Sequence, residues 1–187
     1  MTSTFIVLLR AVNVLGANSL STKDFIRVLE SMALKNVRTY IQTGNAVFQA
    51  NESDAGRLSE KIKARIERRL GFAPEVILLR LDEFERAVAS NPYPDADGNH
   101  KALHLMFLAS APKSSDLTAC EKYRSDSEQC SLQGRIFYFW APNGVGRSKL
   151  FARIEKLLGV TGTARNWRTT CKLLELARAC GMTKGNP

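Results

Sequence analysis

Several residue patterns that mark common functional classes are missing from this 187-residue sequence. Its four cysteines contain no CxxC pair and have no histidine at ligand spacing, which argues against a zinc site or a thioredoxin-like redox motif. No apolar run approaches the roughly 18–20 residues of a membrane span, and the first residues lack the pattern of a secretory signal. We therefore expect a cytoplasmic protein with reduced thiols, without a bound metal or cofactor, and not in a membrane. The cysteines are Cys120, Cys130, Cys171 and Cys180.

Acidic residues are outnumbered by basic ones, with 18 Asp and Glu against 27 Lys and Arg, and the net charge is +9. Such an excess favours anionic partners at long range without specifying which anion. The hydrophobic fraction of 44% and the charged fraction of 24% are typical of globular proteins. The chain is long enough for one ordinary domain or two small ones.

The densest basic run is KIKARIERR, residues 61–69. Leu58, Ile62 and Ile66 recur at intervals of four, which predicts an amphipathic helix with these residues buried. The basic side chains then lie on the opposite face. We favour a solvated helix face there over a nucleic-acid patch, because no aromatic residues are interleaved for base stacking.

The order of predicted elements repeats along the chain. The first half alternates as β-α-β-β-α-β-α, and after the turn-rich segment 91–99 the same β-α-β-β-α-β order returns. A βαββαβ unit is the ferredoxin-like arrangement. The sequence thus predicts an α+β protein of two ferredoxin-like subdomains packed together, residues 1–92 and 93–187, the second with an added C-terminal helix.

A first polar cluster is predicted at one end of the N-terminal sheet. In a ferredoxin-like sheet the first and third strands are antiparallel neighbours, which places Arg10 beside Asn45. The hairpin turn, predicted over residues 43–45, and the loop 13–18 share that edge. We interpret this amide-rich group as a candidate ligand site; the alternative is that its side chains satisfy backbone groups of the loop and hairpin. Its members are Arg10, Asn13, Asn18, Gln42, Thr43 and Asn45.

A second polar cluster is predicted in the C-terminal half, where GVGRSK and RNWRTT each lead from a strand into a helix. Free N–H groups at two helix starts, together with nearby arginines, favour an anion site. The alternatives are salt bridges or solvated charge for the arginines, and helix capping for the serine and asparagine. The candidate residues are Arg147, Ser148, Arg165, Asn166 and Arg168.

Motifs of better-known sites fail on inspection. PNGVGRSK differs from a P-loop because Arg147 replaces the lysine and Ala141 the first glycine. DADGNH places His100 where a calcium loop requires glycine. Neither histidine belongs to a persuasive Ser-His-acid set, and we expect His104 to be a hydrogen-bonded strand residue.

Trp167 lies on the apolar stripe of the last helix, which favours a place in the core over a stacking role.

Four segments in this order and spacing, LLRAVNVLGAN, VRTYIQTGNAVF, GVGRSKL and TARNWRT, resemble the bacterial domain-of-unknown-function family numbered 1697. The resemblance covers nearly the whole chain and implies an α+β fold of two similar subdomains, but it implies no reaction. The family usually has RGINVGG where this chain has RAVNVLG. Ala11 and Leu15 therefore replace glycines, which alters the site if those glycines serve close approach or positive φ.

These observations favour a cytosolic protein that binds an anionic or polar ligand, either a phosphate-bearing small molecule or nucleic acid, at one or both polar clusters. The first alternative is an enzyme of unknown reaction, in which Arg10 and Asn45 polarise a substrate in a cleft between the subdomains. The second is a protein-interaction scaffold. Ligand identity, catalysis and oligomeric state are beyond what the sequence predicts.

Overall fold

The computed structural model describes residues 2–14, 18–52, 54–114 and 116–182. The chain is an α+β protein with two four-stranded antiparallel sheets. It divides into two compact units, one of residues 1–86 and 172–187 and the other of residues 87–171. The subdomain boundary between residues 92 and 93 stays a prediction.

The first unit contains the sheet of strands β1 to β4. Its strand order is β2-β3-β1-β4, so β1 and β3 are the central pair. In chain order the elements are β1 (Ser3–Arg10), α1 (Thr22–Glu30), β2 (Lys35–Thr39), β3 (Asn45–Ala50), α2 (Ala55–Leu70), β4 (Glu75–Arg80) and most of α3 (Leu81–Ala89). The later part of α6 (Trp167–Met182) also belongs to this unit.

The helices of the first unit begin and end at residues that suit those positions. Ser21 accepts a hydrogen bond from the Asp24 N–H at 3.0 Å and so caps α1, as its place before an apolar stripe predicts. Asp54 caps α2 in the same way, through the Arg57 N–H. Gly71 ends α2 with φ of +78°, the left-handed conformation that glycine adopts without strain.

The core of the first unit lies between the sheet and helices α1 and α2. Alternate residues of β1, among them Phe5 and Val7, join Phe25 of α1 and Ile62 of α2 in one buried cluster. Each fully buried side chain of this size contributes roughly 1.5–3 kcal/mol to stability. Because α2 uses its apolar stripe in this way, its basic residues face outward.

The second unit repeats the strand arrangement, with the order β6-β7-β5-β8. Its elements are a 3-10 turn (Pro94–Asp97), β5 (Leu103–Leu108), α4 (Thr118–Glu121), β6 (Gln129–Gln133), β7 (Ile136–Trp140), a 3-10 turn (Phe151–Arg153), α5 (Ile154–Leu158), β8 (Gly162–Asn166) and the first residues of α6. Met106, Phe137 and Phe139 pack with Leu150 and Ile154 in its core cluster.

Two elements differ from the sequence prediction. The first hairpin loop covers residues 40–44 rather than 43–45, since β2 ends at Thr39 and Asn45 is the first residue of β3. The helix predicted from Ser148 is a 3-10 turn followed by only five α-helical residues. The Ser148 hydroxyl accepts from the Phe151 N–H at 3.0 Å, so its side chain satisfies a donor in this short first turn.

Candidate functional site

Asn13 connects the loop after β1 to the first hairpin. Its side-chain N–H groups donate to the carbonyls of Leu20 at 2.8 Å and Gln42 at 2.6 Å. Its side-chain oxygen accepts from the Leu20 N–H at 2.8 Å. All three bonds go to main-chain groups, so this amide holds two loops together. This agrees with the alternative that the side chains of this cluster satisfy backbone groups of the loop and hairpin.

Asn45 is fully buried at the start of β3. Its side-chain amide donates to the Tyr40 carbonyl at 3.1 Å and to the Thr43 hydroxyl at 2.7 Å. Both acceptors belong to the hairpin loop that precedes β3. Asn45 therefore closes the loop from inside, and its side chain is not exposed to solvent.

Arg10 and Asn45 are offset along the sheet. The register pairs Asn45 with Leu8 on β1, whereas Arg10 lies opposite Glu75 on β4. The direct adjacency of Arg10 and Asn45 expected from the topology is thus wrong by two residues along β1. The topology gave the neighbouring strands but left this offset undetermined.

The loop after Arg10 is unusual in its backbone. Ala11, Asn13 and Asn18 all have positive φ, at 57°, 55° and 51°, which is common for asparagine but strained for alanine. The Asn18 side chain donates to the Ala11 carbonyl at 3.1 Å. A glycine at position 11, as in the resembling family, would adopt this conformation freely. Leu15, the other replaced glycine, lies outside the described residues.

The second predicted cluster is divided in the structure. Ala164 packs in the core beside α4 and α5, and the next residue of β8, Arg165, therefore lies on the other face of the sheet. Its guanidinium is buried and donates to the Thr163 hydroxyl at 2.7 Å and the Ala164 carbonyl at 2.8 Å. Burial lowers the pKa of Arg165 to about 10, so it stays charged at pH 7.

Asn166 and Arg168 flank the start of α6. The Asn166 side-chain oxygen accepts from the Thr169 N–H at 2.9 Å, which makes Asn166 a helix cap. Arg168 is exposed. Trp167 is buried, and its indole N–H donates to Asp97 at 2.8 Å. These residues and Arg165 do not line the cavity that contains Arg147.

That cavity lies within the second unit and has a volume of about 470 Å³. Two segments form it, the turn region from α4 to β6 and the loop after β7, so it is built at one end of β7. Its lining residues are Lys122, Tyr123, Arg124, Ser125, Ser127, Glu128, Ala141, Asn143, Gly144, Arg147, Ser148 and Lys149. Of the five residues predicted for the second cluster, the cavity includes Arg147 and Ser148.

Positive charge dominates the cavity wall. Lys122, Arg147 and Lys149 are exposed, and their side chains make no hydrogen bond or ion pair with any residue that the structure describes. Arg124 is the fourth cation; it is 2.6 Å from Glu121, and the hydrogen bond with that carboxylate raises the arginine's pKa. Three cations therefore face the cavity without a partner among the described residues.

The cavity wall also carries neutral polar groups. Ser125 and Ser127 have hydroxyl oxygens 3.5 Å apart, and the Asn143 amide donates to Ser127 at 3.2 Å. Glu128 is buried, and its carboxylate accepts from the Ser125 N–H at 3.0 Å. Among the described lining residues, Glu128 supplies the only carboxylate, and it is engaged with the backbone of the turn at residues 125–128.

Sequence reasoning did not identify Lys122, Arg124 or Lys149. The first two belong to the short run EKYR, residues 121–124, which precedes a turn and carries no motif. Lys149 follows Arg147 and Ser148 directly, and its proximity to them was the one available signal. The contact between these segments arises only because β6 and β7 form a hairpin.

Within the described residues, no group of three or more His, Cys, Asp or Glu side chains is arranged to hold a metal ion. Across the same residues, no helix combines the length and the apolar character needed to cross a membrane.

Comparisons with known proteins give a family and a fold. The sequence model of the family described as "Protein of unknown function (DUF1697)" matches residues 1–138. The conserved bacterial protein SP0830 from Streptococcus pneumoniae has a similar structure, with a TM-score of 0.69 and 21% sequence identity over 95% of this chain and 99% of that one. No curated protein matches the sequence significantly.

Proposed function

The chain belongs to the DUF1697 family of proteins of unknown function, and because this membership supplies no activity, we propose from the geometry that it binds a phosphate-bearing small molecule in the second-unit cavity. The observation that carries the proposal is the set of three exposed cations, Lys122, Arg147 and Lys149, on the wall of one concave site. Clustered cations repel one another, and a bound anion would relieve that repulsion.

The size of the cavity supports a small ligand. At about 470 Å³ it falls in the range of roughly 300–1,000 Å³ that is typical of small-molecule sites. An arginine offers a planar pair of donors to phosphate oxygens, and lysines add point charges. Arg147 would therefore orient a phosphate, with Lys122 and Lys149 adding attraction.

The neutral polar side chains of the cavity support a ligand that has hydroxyl or other neutral polar groups besides its phosphate. Ser125, Ser127 and Asn143 provide donors and acceptors in the same cavity as the cations, and such groups fix orientation in small-molecule sites. Of the described lining residues, only Tyr123 supplies an aromatic ring, and the Arg153 guanidinium lies 5.0 Å from its centroid. The wall thus favours a polar phosphate ester over a ligand held mainly by ring stacking.

The proposal includes a finer assignment of the fold. We propose that each unit is ferredoxin-like, which the strand orders β2-β3-β1-β4 and β6-β7-β5-β8 support, since the first and third strands of each set are central. A cytoplasmic location stays a prediction from the cysteine pattern.

The test is calorimetric titration of the protein at low salt with inorganic phosphate, pyrophosphate, a sugar phosphate and a nucleoside monophosphate. Arg147→Gln removes a charged donor from the cavity and should weaken binding at least about tenfold, since a charge-assisted hydrogen bond contributes roughly 1.5–3 kcal/mol. Arg168→Gln is the matched control, because it removes the same charge from the same unit outside the cavity.

The Arg168→Gln variant should bind as the unaltered protein does. Equal weakening by both substitutions would show that only net charge matters, and absence of binding by the unaltered protein to every anion would refute the proposal.

A further inference from the structure

A second set of cations lies in the first unit, on the exposed face of α2. The four residues Arg57, Lys61, Arg65 and Arg68, here called the α2 basic surface, follow one another at intervals of three or four. Residues at this spacing lie along one side of a helix. Three of them line a second cavity of about 330 Å³, together with Met32 and Ala64.

Positive and negative charges are segregated on this helix. Glu60 and Glu67 are the two acidic residues of α2, and neither lines the cavity. In the described part of the chain, neither pairs with a cation of α2, although Glu-to-Lys or Glu-to-Arg pairs are common on solvated helices. The ion pairs that α2 does make lead to other elements, from Lys61 to Glu52 at 2.8 Å and from Lys63 to Glu75 at 3.5 Å.

Internal contacts account for only part of the α2 basic surface. Arg65 donates to the Ser31 hydroxyl at a long 3.5 Å. Arg68 is exposed and makes no hydrogen bond or ion pair within the part of the chain that the structure describes. The cationic stripe therefore has capacity for an external anion.

The α2 basic surface is extended. Arg57 and Arg68 are eleven residues apart, which corresponds to about 16 Å along a helix that rises 1.5 Å per residue. A nucleic-acid duplex rises about 3.4 Å per base pair along its axis, so the stripe has the axial length of about five base pairs. A single small phosphate ester would engage only one part of it.

We propose that the α2 basic surface binds the phosphate backbone of double-stranded nucleic acid, without reading its sequence. The surface contains no aromatic ring for stacking, which disfavours single strands. The apolar stripe of α2 is buried in the core through Leu58, Ile62 and Ile66, which disfavours insertion of this helix into a lipid surface. Regularly spaced cations without base-reading groups suit a duplex backbone.

The test measures fluorescence anisotropy of a 20-base-pair DNA duplex and the matching RNA duplex with the full chain, over a range of salt concentrations. Because Lys61 is already paired with Glu52, three phosphate contacts, from Arg57, Arg65 and Arg68, predict a slope of log K against log salt of about −3. Arg68→Gln should make that slope shallower by about one and weaken binding at low salt.

Lys63→Gln is the matched control, because it removes one positive charge from the same helix at a residue already paired with Glu75. It should leave the slope unchanged, as should Arg147→Gln in the second unit. The proposal is overturned if no duplex binds at low salt, if Lys63→Gln and Arg68→Gln act alike, if single strands bind more tightly than duplexes, or if Arg147→Gln alone reduces binding. Because the anion titrations address the other cavity, either proposal can fail without the other.

Discussion

The first unit's amide cluster and the second unit's cavity are both polar sites next to strand ends, yet their side chains are used differently. Asn13 and Asn45 direct their amides to backbone groups and to a neighbouring hydroxyl. Lys122, Arg147 and Lys149 face a cavity without a described partner. Polarity at a strand end therefore favours a binding role only where internal groups leave the side chains unused.

The family match adds to this contrast. It covers residues 1–138, which include the whole amide cluster. The loop after β7, with Asn143, Arg147 and Lys149, lies beyond the matched region. The match therefore includes the amide cluster and the cavity segment of residues 122–128, but not the segment that contains Arg147.

The largest expected effect comes from filling space inside the amide cluster. Gly44 has φ of +72°, and an added Cβ would lie 2.6 Å from the Leu9 Cβ and 2.7 Å from a Val12 methyl carbon. Gly44→Ala should cost about 3 kcal/mol, because overpacking adds to backbone strain. Urea unfolding followed by circular dichroism measures the loss.

The matched control lies in the cavity loop. Gly144 has φ of +82°, but an added Cβ would meet nothing within 4 Å. Gly144→Ala should lose only the backbone preference, about 1 kcal/mol. Equal losses at the two glycines would contradict the view that the first site is closed and the second open.

The next effect concerns hydrogen bonds. Asn45→Ala removes the donor to the Tyr40 carbonyl inside a buried loop and should cost about 2 kcal/mol. Asn143→Ala changes an exposed amide of the cavity wall and should stay within about 0.5 kcal/mol of the unaltered protein. Denaturant unfolding measures the stability of both variants. A loss of stability in Asn143→Ala as large as that in Asn45→Ala would contradict the difference between the two sites.

The smallest expected effect is a gain in stability. Ala11 has φ of +57°, so Ala11→Gly should remove the strain and stabilise the protein by about 0.5 kcal/mol after the added flexibility of the unfolded chain is subtracted. Ala73→Gly is the control, since Ala73 is exposed and has no positive φ. Thermal unfolding should show a higher midpoint for the first variant and a lower one for the second; a lower midpoint for both would refute the explanation.

Much of the α+β architecture followed from hydrophobic pattern and helix signals. Continuous apolar runs form β1 and β5, Ser21 stands at the start of α1, and Gly71 ends α2, each as such residues typically do. These signals are local, so a single sequence contains them. The family resemblance was confirmed by the match over residues 1–138.

The candidate site was less predictable because its geometry depends on contacts between distant segments. Register decided that Asn45 faces Leu8 instead of Arg10, and strand alternation placed Arg165 away from the core beside α5. Lys122 and Arg147 line one cavity because β6 and β7 form a hairpin that brings their segments together. No residue spacing in the sequence indicates this contact. The helix predicted to follow GVGRSK is also shorter than expected, since a 3-10 turn precedes only five α-helical residues.

The placement of the two tryptophans has a spectroscopic consequence. The Trp140 ring lies 6.0 Å from that of Tyr93, and Trp167 donates to Asp97; all four residues belong to the unit of residues 87–171. Since the chain contains no other tryptophan, its indole emission follows the second unit, whereas circular dichroism follows both. Substitutions in the first unit that leave the emission transition unmoved while shifting the dichroism transition would show that the two units melt independently.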